Sequence, residues 1–266
     1  MTHHPNTLRI YTSHLIRQYW RTGAIWAIAF GLYVAMMVLV FPSFRDSGAF
    51  DALDSYPEPL RKAFGIEEMT SIGPFLQAEI YSYAPLVLAF FPIMTFASAL
   101  AGAEEQGALD ILLGNPLPRH TIVLSIWIAL AAVLLGVLMV VGGISWLMAL
   151  AIDAGLGAGQ AFRAAWNLFP ICMAFGSLTL LLSARLRRRG TVIGLSFGIM
   201  FLMYLIDIIG KIAPDYDALR WASAFRFYGD AISNGIPWGG TAILIAASLL
   251  LLGATIPTFD KRDVYT

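Results

Sequence analysis

A chain of 266 residues that is 58% hydrophobic and only 13% charged, with a mean hydropathy of +0.72, lacks the charge to cover a water-facing surface; soluble domains carry roughly 25% charged residues. Its 17 basic and 17 acidic residues balance and no basic domain stands out, which excludes nucleic acid as the default partner. Cys172 is the only cysteine and lies inside an apolar run, which excludes internal disulfides and a cysteine metal site.

Several apolar runs of about 20 residues set the class: an all-α membrane protein with six transmembrane helices. Residues 6–21 form an amphipathic prelude, with Leu8, Tyr11, Leu15 and Tyr19 on one face and His14, Arg17, Gln18 and Arg21 on the other. Such a helix is expected to lie in the membrane interface before the first span. That span covers about 23–41, is closed by Pro42, and reads as retained rather than cleaved. The loop 43–80 holds seven acidic and three basic residues, and Phe50, Leu53, Leu60 and Phe64 suggest short amphipathic helices within it. The second span, about 81–101, contains Pro85 and Pro92 and is predicted to be kinked, its freed carbonyls finding partners within the protein.

Next comes the stretch Gly102 to Thr121, the polar insertion with the most internal order. Glu104 and Glu105 open it and Gly107 interrupts it. Leu109, Leu112 and Leu113 share a helix face, and Gly114, Asn115 and Pro116 stop the helix before Arg119. The third apolar run, 121–151, exceeds what a bilayer requires, and Gly142 and Gly143 are candidates for a bend. The fourth span, about 162–184, ends in Arg185, Arg187, Arg188 and Arg189. The fifth covers about 191–210, an aromatic polar loop covers 211–236, and the sixth span covers about 237–257.

Six spans put both termini on one side. The termini and the two connections on their side hold ten of the basic residues, against seven spread over the longer opposite loops. This density predicts cytoplasmic N- and C-termini, with the 102–121 stretch on the same side. The arginines after the fourth span read as a topology signal and as contacts to membrane lipids.

Gly194, Ser196 and Gly198 match the spacing of a hydrolase nucleophile elbow, but they lie mid-span and every histidine lies outside the spans. Gly190, Gly194 and Gly198 are better read as a small-residue ladder for helix packing, within the bundle or at a dimer seam. Asp207 is the one carboxylate inside a span. It is either a proton- or substrate-linked intramembrane site or, as its place within a turn of the outer end favours, a carboxylate reaching the interface. None of Lys62, Lys211 and Lys261 is followed by Ser or Thr, so no phosphate-binding loop is present. If ATP drives this protein, another chain binds it.

The residues Glu104, Glu105, Gly107, Leu109, Leu112, Leu113, Pro116 and Arg119, followed by Ile122, Val123 and Leu124, resemble the first cytoplasmic connection of ABC-2 type exporter permeases. The ending Phe259, Asp260, Lys261, Arg262 and Asp263 is similar to a common ending in that family. Ser125 and Ile126 stand where the family often has Gly-Lys. The resemblance implies a permease in the cell inner or plasma membrane with no cofactor and no catalysis of its own. ATP and Mg would be bound by a separate ABC ATPase subunit, present in two copies, and a second permease chain, identical or related, would complete the pathway. The 104–114 segment would be the coupling helix: its leucines would seat in a groove of the ATPase, with Glu104, Glu105 and Arg119 at the rim. The competing classes are an ion-coupled carrier or channel acting without an ATPase, and a non-transporting or enzymatic polytopic membrane protein.

Overall fold

The computed structural model describes residues 5–47, 71–107 and 118–261. Among these, six helices are long and apolar enough to cross a membrane. The first, α1, runs Pro5–Asp46, 42 residues and about 63 Å at 1.5 Å per residue. The expected amphipathic prelude and first span are therefore one continuous helix, and Pro42 does not close it. Pro42 lies so near the end that it forfeits a single backbone hydrogen bond, and the last turn continues past it. What holds α1 is a small-residue seam, Gly23, Ala27 and Gly31, four residues apart. A Cβ on Gly23 would collide with Val133 and one on Gly31 with Ile144. The helix therefore lies close along the third span, as small residues at such spacing permit.

A short helix α2, Ile72–Leu76, passes through a π-helical turn, Gln77–Tyr81, into the second span, α3, Ala84–Glu105. π-Helical turns flank the segment that holds Pro85 and Pro92. The amide of Ser82 reaches back five residues to Gln77 O at 2.8 Å, and a second π-helical turn occupies Ser98–Gly102. The fourth span serves that second turn: Ser183 Oγ accepts the Ala101 N–H at 2.9 Å and donates to Ala97 O at 3.3 Å. In a bilayer interior no water can do this, so a side chain must.

The third span, α4, runs Arg119–Ala151 without a break. The missing Cβ of Gly142 makes room for Phe162 and Ala165. Helix α5, Ala158–Arg185, is the hub and packs against α3, α4, α6 and α7. Within its most apolar window 78% of residues are buried, against 22% for α6, Arg189–Ile212, and 28% for α7, Trp238–Asp260. Gly176 lets α3 press on α5: a Cβ there would sit 2.9 Å from Pro92 Cβ and from Phe96 Cε2. Two 3-10 segments, Pro214–Ala222 and Ala224–Phe227, fold between α6 and α7 and form a cap. The buried Asn167 of α5 anchors the residue after them, donating to Tyr228 O at 2.7 Å.

Candidate functional site

Helix α3 ends at Glu105, and Gly107 turns the chain with φ +67, a left-handed conformation that favours glycine. Both acidic residues before it are engaged. Glu104 pairs with Arg187 Nε at 3.4 Å, and Glu105 Oε1 accepts the backbone N–H of Arg189 at 3.1 Å. Arg189 is the first residue of α6, so the Glu105 carboxylate sits at the positive end of that helix. Arg119, at the start of α4, donates from Nη1 to Phe259 O at 2.7 Å and Asp260 O at 3.0 Å, and its guanidinium lies 5.5 Å from the ring centre of the buried Phe259. The polar ends of this connection are thus bound to the start of α6 and the end of α7. Leu109, Leu112, Leu113 and Pro116 lie outside the described residues, as do Arg262 and Asp263 and most of the 43–80 loop.

At the opposite end of α6, Asp207 is covered by the protein's own side chains. It is 2% exposed and held by Lys211 Nζ at 2.8 Å, one turn on, and by Arg220 Nε at 2.9 Å from the first 3-10 segment. Gly210 supplies the gap through which Arg220 reaches it, since a Cβ there would collide with the arginine stem. Arg220 also donates to Asp217 at 2.9 Å, and Arg226 approaches Asp217 at 3.4 Å while stacking 4.3 Å from the centre of Trp221. The Arg220 hydrogen bond, joined by Arg226, holds the exposed Asp217 carboxyl below the usual carboxylate range. This chain of charges pins the cap onto α6. Asp207 alone was visible as a candidate from its place in a span; Arg220, thirteen residues on, follows no helical period that would connect the two.

Gly190, Gly194 and Gly198 do not pack inside the chain. A Cβ on any of them meets nothing within 4 Å, and Leu195, Phe201 and Leu202 are exposed beside them. The packing face of α6 is instead the one carrying Val192, Ser196 and Met200. Ser196 is a helix-interior residue whose buried Oγ has no hydrogen-bond partner, with none of the strand-to-helix geometry of a nucleophile elbow.

Six apolar helices, one of them a buried hub, with polar backbone irregularities satisfied from within, define a polytopic α-helical membrane protein. Residues 16–264 match the family described as ABC-2 family transporter protein, and the chain belongs to it. No individual curated protein matches the chain. Family membership makes it a multi-pass membrane permease, the transport component rather than a catalytic one.

Proposed function

We propose that the chain is the permease subunit of an ATP-driven exporter in the cell inner or plasma membrane. Its termini and arginine-rich end face the cytoplasm, and it takes force from a separate ABC ATPase through the 104–114 segment. Two ATPase copies bind ATP and Mg, and this chain holds no cofactor. A second permease chain completes the pathway. The observation that carries the coupling assignment is the double anchoring of this connection. Glu104 and Glu105 meet Arg187 and Arg189 at the start of α6, and Arg119 grips the end of α7. A displacement applied between these anchors is passed at once to α6 and α7, because ion pairs and backbone hydrogen bonds join them rather than slack chain. Leu109, Leu112 and Leu113 supply the apolar face for the ATPase groove, with Glu104 and Glu105 at its rim. The carrier alternative draws no support from Asp207, whose carboxylate is neutralised between two cations.

The test is to replace Leu109, Leu112 and Leu113 together with Asp and co-purify the chain with the ATPases encoded beside it. The expected result is a permease of unchanged folding that no longer retains the ATPase. A variant that still binds and stimulates it as before removes this segment from the coupling role.

A further inference from the structure

Arg189 differs from the other arginines at its end of the bundle. Arg185, Arg187 and Arg188 are exposed, whereas Arg189 turns its side chain inward along α3, with its Cδ placed where a Cβ on Gly102 would lie 3.3 Å away. Its Nε is buried with no hydrogen-bond partner, and its guanidinium makes no ion pair among the described residues; Glu105 meets only its backbone N–H. The residue as a whole is half-buried, but a buried guanidinium nitrogen without a partner is costly, and a structure retains one where something else supplies the bond.

The guanidinium lines a cavity of about 300 Å³ between α1 and α3, together with Gln18, Thr22, Thr95 and Ser98. The hydroxyls of Thr95 and Ser98 donate back to their own helix, at 2.8 and 2.6 Å, leaving Arg189 as the charged donor of the site. Trp26 is a shared wall between this cavity and a second one of about 350 Å³, lined by Phe30, Tyr33, Tyr83 and Val87. Tyr33 and Tyr83 line the second, and their hydroxyls lie against each other and against Glu79 O. From Gln18 to Tyr33 the two adjoining cavities together follow α1 for about 22 Å at helical rise. That exceeds half the hydrocarbon thickness of about 30 Å. One end is cationic and at the level of the helix terminus; the remainder is apolar and aromatic.

We infer that this groove binds an anionic amphiphile, its phosphate or carboxylate on Arg189 and its hydrocarbon chain along Trp26, Phe30 and Val87. Arginine presents a planar pair of donors that matches such a head group, and an apolar chain displaces nothing polar from the rest of the groove. A membrane lipid and a single-chain acid share this chemistry. The orientation of the site in the cell rests on the permease reading, but the binding itself needs no ATPase, so either can fail without the other.

The experiment is native mass spectrometry of the full chain in a neutral detergent, titrated with phosphatidylglycerol, phosphatidylcholine or dodecyl phosphate. The wild type is expected to retain the anionic ligands over phosphatidylcholine. Arg189→Gln should reduce that preference about tenfold, the scale of a lost charge-assisted hydrogen bond, and Arg189→Lys should keep most of it. Val87→Trp, which fills the apolar part and leaves the arginine, should weaken binding of both anionic ligands and guards against misfolding of the arginine variant. Displacement of dodecyl phosphate by phosphatidylglycerol assigns the site to a membrane lipid; binding of dodecyl phosphate alone assigns it to a single-chain amphiphile. Equal retention of the two phospholipids overturns the inference, as does an anionic preference untouched by Arg189→Gln, or binding indifferent to Val87→Trp. Lipid-free wild-type dimers that Arg189→Gln breaks into monomers also overturn it and give the groove to a second copy of the chain.

Discussion

Among single residues, Asp207 carries the clearest energetic consequence. Its carboxylate is shut away from solvent between Lys211 and Arg220, and removing one member of such a group leaves the others uncompensated. Asp207→Asn is expected to cost about 2–3 kcal/mol, below the ~3–5 of a fully buried pair because both cations remain partly exposed. Thermal unfolding in detergent checks this, and pairing it with Arg220→Gln should cost less than the sum of the two changes. Asp217 adds a pH dependence. Its folded-state pKa is depressed, so its contribution is present above the unfolded value of about 3.9 and is lost as pH falls through the folded value. Protection factors over 214–227, with the intrinsic pH dependence of amide exchange divided out, should therefore stay flat from neutral pH to about 5 and fall in stronger acid. Asp217→Asn should remove that acid component and quicken exchange already at neutral pH.

At the scale of elements, the contacts of α3 and α5 decide where glycine is required. Gly176 faces Pro92 and Phe96 across a gap too small for a methyl group, and Pro92 belongs to a backbone that cannot yield. Gly176→Val is expected to destabilise the bundle by about 1–3 kcal/mol, the cost of overpacking. Gly194→Ala should be neutral or slightly stabilising in the same melting experiment, since an added Cβ meets nothing and alanine favours a helix. The sequence shows the Gly190, Gly194 and Gly198 ladder. It cannot say whether that ladder is used internally, because that depends on whether a neighbouring helix crosses at that face, and only the bundle supplies the neighbour. The same holds for α1: nothing local separates a surface helix from a span when no breaker stands between them, and packing on α4 keeps the helix continuous.

For the molecule as a whole, the least buried spans are α1, α6 and α7, with a further exposed apolar face on α4, while α5 is the most enclosed. The open Gly190, Gly194 and Gly198 face of α6 is the one to test for the proposed second permease chain. Cys172 is buried, so a cysteine introduced as Gly194→Cys is the one reactive thiol on that face. Oxidation in the membrane should convert most of the Gly194→Cys chain into a cross-linked dimer. A product that stays monomeric at all protein densities excludes a homodimer through this face.

The sequence by itself determined the class, the presence of six apolar runs and the family, because each follows from local quantities: apolar length and motif order. Coarse features of the candidate site were also legible, in Glu104, Glu105, Arg119 and Asp207 as polar residues at the ends of apolar runs. Only the tertiary structure decided what those residues hold. It placed Arg119 on the carbonyls of Phe259 and Asp260, Asp207 on Arg220, and Arg189 inward on a groove while its neighbours face out. Such pairings join residues far apart in the chain or turn on the rotation of a helix end. Neither leaves a periodic trace, since periodicity records which face is apolar and not which charge stands opposite.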